Sequence, residues 1–352
     1  MVDGMTGSET LFSLASGFAL AGKVRKITPL GDGLINDTWL VATDRDKGVL
    51  QRINGAVFPR PAWNMANLRR VIAHLEDGKE RDIRLPKPIP TRGGADWLEE
   101  RGGFWRMLEY IEGITLKGVD SRETARSLGW SLGRLHALLA DLDPAGFHDT
   151  LPGFHVTSAY LSEFDRALSD WRGLACAELS AAVSRIEAHR GRAEVLERAD
   201  LPRRIVHGDP KLDNVIFDVS RRRPLAWVDL DTLKPGSVLY DIGDCVRAAC
   251  GKGGRLDMEL AAALLSGWHE AARRFLTAVE IDLVPHAVWL LPFELGLRFL
   301  TDFLSGNRYF RVDDPEENLR RAQDQLALAR DVDSRFGRLS RIWREISATP
   351  GK

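Results

Sequence analysis

The residues best suited to chemistry lie in Ile205-Val-His-Gly-Asp209-Pro-Lys-Leu-Asp-Asn214-Val-Ile-Phe-Asp218. Apolar residues flank a short polar loop in which Asp209 follows a His by two positions and precedes Asn214 by five. Leu225-Ala-Trp-Val-Asp229-Leu-Asp231 then ends a strand-like run in carboxylates, with Asp229 fifteen residues after Asn214. Phosphoryl transfer from a nucleoside triphosphate asks for such parts. One carboxylate accepts the proton of the attacking hydroxyl, while an amide oxygen and a second carboxylate hold the Mg²⁺ ions that bridge the phosphates. Magnesium favours oxygen ligands and keeps several waters, so two or three protein ligands suffice. The spacing predicts Asp209 as the base and Asn214 and Asp229 as Mg²⁺ ligands, with ATP as donor. Asp231 is expected as a second metal contact or a substrate contact. The plain alternative is a structural turn bearing solvated acids.

These residues need a scaffold. Residues 11–21 read as a short helix with Leu11, Leu14, Phe18 and Leu20 on its apolar side. Strand-like runs follow at Val24–Leu30, Asp37–Thr43 and Val49–Ile53, the last two joined by a polar hairpin turn. A helix is expected over 64–76, then a second strand pair, Trp97–Glu99 and Phe104–Ile111, around Arg101-Gly102-Gly103. Asp120-Ser-Arg-Glu123 has the pattern of a capping box opening a helix to about Ala140. From there the chain reads as mostly helical. Leu319, Ala322, Leu326, Ala329, Val332, Phe336, Leu339, Trp343 and Ile346 predict one long final helix with a core-facing stripe. The predicted architecture is α+β and two-lobed, with a small antiparallel-sheet lobe over 1–112 and a larger helical lobe over 113–352.

The bulk properties agree with an ordinary globular enzyme. The chain has 352 residues, 44% hydrophobic and 28% charged, with a formal net charge of -1. That balance gives no electrostatic case for nucleic acid or an anionic membrane as partner. Three cysteines, Cys176, Cys245 and Cys250, match no metal knuckle and suit a reduced cytoplasmic setting. No leader-like start and no uninterrupted apolar run of membrane-spanning length is evident.

The pattern His-Gly-Asp209-x4-Asn214, Val-Asp229-Leu-Asp231, Gly236 and Asp241-Ile-Gly-Asp244 resembles the kinase-like aminoglycoside and choline phosphotransferases. Within that class the chain resembles N-acetylhexosamine 1-kinases over roughly residues 10–335. The shared segments are Gly31-Asp-Gly-Leu-Ile-Asn36 with Thr38, Leu50-Gln-Arg-Ile-Asn54 with Phe58-Pro59, and Asp229 to Asp244. Gly296-Leu-Arg298-Phe-Leu300, Asp302, Tyr309-Phe310 and Glu317-Asn318-Leu319 are the most specific of them. The resemblance implies a protein-kinase-like fold, the loop Gly31–Gly33 over the phosphates, and adenine gripped by the backbone at Glu109 and Ile111. It also implies a sugar acceptor contacted by Asn36, Arg298 and Tyr309 and phosphorylated at its anomeric hydroxyl.

Two departures stand out. Protein kinases pair a strand Lys with a helix Glu, whereas this chain has Gln51-Arg52 at the strand and no Asp or Glu between Gly55 and Leu75. Loss of both halves points to another way of holding the phosphates, with Arg52 the candidate. Leu34 stands where the resembling family has His, so the sugar contact there differs. The rival readings are a same-fold kinase of another sugar, an amino alcohol or an aminoglycoside, and a nucleotide-binding pseudokinase.

Overall fold

The computed structural model describes residues 7–31, 35–77, 82–174, 176–220 and 222–348. Helix α1 (Ser8–Ser16) covers the back of a six-stranded antiparallel sheet. It ends five residues earlier than the apolar pattern predicts. Phe18 instead bridges to Thr91 in extended conformation, so Phe18 and Leu20 enter the core from a strand-like segment. Strands β1 (Val24–Pro29), β2 (Asp37–Thr43) and β3 (Lys47–Ile53) form a meander. Helix α2 (Pro61–Asp77) follows, then β4 (Pro88–Ile89), β5 (Leu98–Glu100) and β6 (Gly103–Glu109). The order is β1-β2-β3-β6-β4, with β5 on β6.

Because side chains alternate along a strand, β3 and β6 present two different faces. Leu50 on β3 and Trp105 and Met107 on β6 pack behind the sheet with Leu14 and Phe18. Gln51 and Ile53, opposite Arg106 and Phe104, look the other way, toward α2 and the second lobe. That second face is the ceiling of the interlobe cleft.

The chain crosses after Glu109. Helix α3 (Arg122–Leu139) is capped by Ser121, whose hydroxyl accepts from Thr124 N; Asp120 is not the cap. Helices α4 (Thr157–Asp170) and α5 (Ala177–Ala193) lead to β7 (Arg204–Val206) and the hairpin β8 (Val215–Phe217) and β9 (Pro224–Trp227). Strand β10 (Lys234–Gly236) returns to pair with β7. Helices α6 (Val238–Cys250), α7 (Met258–Ala272), α8 (Ala278–Leu304), α9 (Glu317–Ser334) and α10 (Phe336–Ser347) complete the lobe. The expected single final helix is two, broken at Arg335, although the apolar stripe runs across the break.

Helix α8 is long and apolar enough, by length and composition alone, to cross a bilayer. Here it is the central helix of the lobe, with Trp289, Leu290 and Leu297 fully buried. Burying each such side chain is worth about 1.5–3 kcal/mol. Helices α3 and α7 touch backbone to backbone through Gly129 and Gly267, where a Cβ would collide with the facing helix. That close approach brings His136 against Trp268, a contact the candidate site uses.

Candidate active site

Strand β7 delivers His207-Gly208-Asp209 to the floor of the cleft. Gly208 has φ +85, and a Cβ there would lie 2.6 Å from Thr232 O, so only glycine fits. Asp241, in the first turn of α6, holds the loop from behind. Its two oxygens accept from His207 N (2.8 Å) and Gly208 N (2.9 Å). His136 Nε2 also reaches Asp241 at 2.9 Å, and Trp268 Nε1 donates to His136 Nδ1 at 3.1 Å. An indole N–H can only donate, so Nδ1 accepts and the ring proton sits on Nε2, facing Asp241.

His207 is fully buried, which pushes its pKa below the ordinary value and keeps the ring neutral. Its Nδ1 accepts from Asp209 N (3.3 Å) and its Nε2 faces Val228 O (3.1 Å). The ring therefore ties the loop to the end of β9 and stands clear of proton transfer.

Asp209 is partly open to solvent. Its Oδ2 accepts from Lys211 Nζ (2.6 Å) and from Asn214 Nδ2 (3.1 Å). Asn214 Nδ2 also donates to Asp209 O, and Asn214 O accepts from Val228 N (2.9 Å). With the amide nitrogen used on Asp209, the amide oxygen is the atom a cation would take. Lys211 was not singled out in the sequence. Burial works against its charge, but Asp209, Asp229 and Asp244 outweigh it and raise its pKa. Its place two residues after the base was the available signal.

Asp229 follows β9 in left-handed conformation, φ 59 and ψ 61. A non-glycine residue there stores strain of the kind found at functional sites. Burial, then the neighbouring carboxylates of Asp231 and Asp209, push its pKa up to about 7. A desolvated carboxylate crowded by others is the environment a divalent cation relieves. Among the described residues no three His, Cys, Asp or Glu side chains form a closed metal cage. The oxygen donors Asn214 and Asp229 nevertheless suit Mg²⁺, which takes its remaining ligands from phosphate and water.

Asp231 is almost wholly buried, and its carboxylate is already engaged. Arg106 grips it with two prongs, Nη1 to Oδ1 at 2.6 Å and Nη2 to Oδ2 at 2.9 Å. Asn36 Nδ2 donates to Oδ2 at 2.6 Å. Arg52 is a correction. It lies on the back face of the sheet with its guanidinium 5.9 Å from the Trp105 ring, while Gln51 and Arg106 point into the cleft. Strand alternation puts neighbours Gln51 and Arg52 on opposite faces, so Arg52 does not face the phosphate side.

Glu109 ends β6, and its N–H donates to Lys87 O (2.8 Å). Ile111 is buried in the crossing segment, and Ile114 then pairs with Phe217 by reciprocal backbone bonds of 2.9 and 2.8 Å. Gly31 (φ +72) and Asn36 line a cleft of about 400 Å³ between the first hairpin and Arg311, Asp313, Glu317 and Arg321. Gly33 and Leu34 lie outside the described residues.

The far wall carries polar groups on α6 and α8. Tyr240, Asp244 and Arg247 share one stripe of α6, and Arg247 Nε donates to Asp244 Oδ1 at 2.6 Å. Burial raises the Asp244 pKa, but Arg247, His155 and Lys211 hold it below the usual range. His155 stacks on Tyr240 and bonds Glu294 (2.7 Å). One turn on, Arg298 is framed by Phe154, Tyr160, Tyr309 and Phe310 at 5.2–5.5 Å. Asp302 folds the loop that brings the last two there, accepting from Arg308 N, Tyr309 N and Phe310 N at 2.8–2.9 Å. The structure thus unites Asn36, Asp209, Asn214, Asp229 and Asp231, and separately Arg298 and Tyr309.

The model of the phosphotransferase enzyme family matches residues 26–276. A homoserine kinase of Methylocella silvestris is 24% identical over 272 residues, covering 75% of this chain and 76% of that protein. A homoserine kinase of Rhodospirillum rubrum is 28% identical over 236 residues, covering 66% and 67%. Among solved structures, a microcompartment-associated aminopropanol kinase superposes with TM-score 0.66 at 18% identity, covering 94% of this chain and 99% of that one. An aminoglycoside phosphotransferase from Alicyclobacillus acidocaldarius gives 0.64 at 13% identity, covering 98% of both. The two-lobed kinase-like fold is shared with these two solved structures.

Proposed function

The chain belongs to the phosphotransferase enzyme family, and from that premise we propose that it moves the γ-phosphoryl group of ATP to a hydroxyl of a compact neutral or anionic acceptor, with Asp209 as base. It is an ATP-dependent small-molecule kinase of that family. The observation that carries the catalytic reading is the convergence of Asp209, Asn214 and Asp229 within one hydrogen-bonded loop system.

Asp209 takes the hydroxyl proton as the new O–P bond forms and the bond to the β-phosphate oxygen breaks, releasing ADP. Asn214 and Asp229 would hold Mg²⁺, which supplies charge neutralisation along the phosphates. Lys211, kept protonated by its acidic neighbours and 2.6 Å from Asp209 Oδ2, would offset charge on the reacting oxygen. Leu40 and Val49, half-buried beside Gln51 on the cleft ceiling, offer an apolar roof for the base. The backbone of Glu109 and Ile111 offers its edge contacts, and Gly31 caps the phosphates.

For the acceptor, Arg298 is the guide. Rings, not carboxylates, frame its guanidinium among the described residues. Such a group suits an oxygen acceptor on the substrate and repels polycationic amines. An acetamido sugar, phosphorylated at its anomeric hydroxyl, would offer its amide oxygen to Arg298, with Asn36 and Tyr309 flanking it. Homoserine would offer its carboxylate, and the activity named for the relatives favours it. We place the reaction in the cytoplasm, where ATP is made available. ADP release from Mg·ATP across N-acetylglucosamine, N-acetylgalactosamine, homoserine, aminopropanol and kanamycin tests the proposal. Turnover with a sugar giving an acid-labile phosphate supports the 1-kinase reading, and turnover with homoserine supports the second. Turnover confined to kanamycin or aminopropanol sinks the role given to Arg298.

A further inference from the structure

The Lys–Glu pair expected of a kinase cleft is absent from β3 and α2, yet the cleft is not without a buried ion pair. Arg106 stands opposite Gln51 in register on the neighbouring strand. Gln51 Oε1 accepts from Arg106 Nε (2.9 Å) and Nη2 (2.7 Å), and Gln51 Nε2 donates to Thr38 Oγ1 (3.2 Å). The residue at the usual lysine position thus orients an arginine from the next strand. Arg106 then crosses the cleft to Asp231, and the two side chains are 2% and 1% exposed.

The turn carrying Asp231 is held from other sides too. Asn64 Nδ2 (2.8 Å) and Thr150 Oγ1 (2.9 Å) donate to Asp231 O, and Asn67 Nδ2 donates to Leu233 O at 2.8 Å. Helix α2 therefore grips the turn with two amides one helical turn apart, where a kinase uses a carboxylate. Asp229 lies two residues before Asp231 at the entry to this turn, in its strained left-handed conformation. A position that unfavourable persists only when its surroundings over-determine it. A buried ion pair is in itself weak evidence for stability, because well-packed apolar residues often do as well. The pair here is better explained by what it positions.

We propose that Arg106 is a positioning residue for phosphoryl transfer. Through its two-pronged grip on Asp231 it joins the lobes and fixes the turn that presents Asp229 to the metal. Asp231 is then a strut and not a metal ligand. This rests on the phosphoryl-transfer reading, which wild-type turnover tests separately.

Electrostatics alone gives the opposite expectation, which makes the proposal decidable. Removing a cation beside a metal site should tighten Mg²⁺ binding, and should free Asp231 to ligate if it were a ligand. Mg²⁺ affinity at saturating ADP would be measured by calorimetry for wild type, Arg106→Met and Arg106→Lys, below the melting temperature of each. For Arg106→Met the expected result is Mg²⁺ affinity at least about tenfold weaker, with the Mg²⁺ dependence of turnover moved to higher concentration. Arg106→Lys keeps the charge but loses the planar fork, and should show the same change to a smaller degree. Should Arg106→Met not fold, Arg106→Lys carries the test. Affinity unchanged or tighter in the variant that folds would overturn the proposal.

Discussion

Replacing Asp241 by Ala should damage the fold more than the chemistry, and its size can be worked from the contacts. Asp241 is fully buried and accepts from His207 N, Gly208 N and His136 Nε2. Alanine leaves all three donors without an acceptor in a space water does not reach. An orphaned buried donor costs about 1–3 kcal/mol, so three in one network should cost about 3–6 kcal/mol, allowing for their dependence on one another. Removing a buried carboxylate also removes its desolvation cost, which favours the lower half of that range. Domains are typically stable by about 5–15 kcal/mol, so the variant should stay folded at low temperature and unfold at much lower denaturant. Equilibrium unfolding in urea, followed by tryptophan fluorescence, measures this. Trp268 should lose its shielded emission early, because its N–H anchors the far end of the chain through His136. A stability within about 0.5 kcal/mol of wild type, the usual range for inconsequential surface changes, would refute the view that Asp241 holds the loop.

Asp209→Asn should lower turnover by about 10²–10⁴ while Mg·ADP binding and melting temperature stay near wild type; unaltered turnover removes Asp209 as base. Asp229 has its pKa raised to about 7 in the folded chain against 3.8 ordinarily. The folded form therefore keeps a proton that the unfolded form has lost, and stability falls as pH rises through that window, levelling off above it. Melting curves of metal-free wild type and Asp229→Asn from pH 4 to 8 should diverge in that direction, and Mg·ADP should flatten the wild-type slope; parallel slopes count against the assignment. Arg298→Ala should raise KM for the acceptor about 10–100-fold, the worth of a charged hydrogen bond, with KM for ATP unmoved; a change in the ATP constant alone would place Arg298 elsewhere.

The catalytic loop was legible because its parts are contiguous: His207, Asp209 and Asn214 need only one turn to converge. The Arg106–Asp231 strut was not, since its ends are 125 positions apart and Arg106 sits inside an aromatic and apolar strand. The face of Arg52 could have been read from strand alternation, which sets it with Leu50 and against Gln51. The missing break at Arg335 has a different cause. Val332, Phe336 and Leu339 keep a spacing of three or four across it, and periodicity alone cannot register a change of axis. Asp241 and Asp302 stood out in the sequence only as members of segments shared with the resembling family. Their work as receivers of backbone N–H groups depends on loops folding back over them, which residue type does not reveal.

The three cysteines give the molecule a built-in chemical reporter. Thiol reagents attack the thiolate, and Cys176 is exposed while Cys245 and Cys250 are buried with their pKa values pushed upward by desolvation. Both buried thiols ride on α6, the helix whose first turn carries Asp241. In the native enzyme a labelling reagent should therefore modify one site quickly, and the slow appearance of two more would time the opening of the helix that anchors the catalytic loop. Bound nucleotide that merely fills the cleft would leave that clock alone, whereas anything that loosens the loop from beneath would speed it.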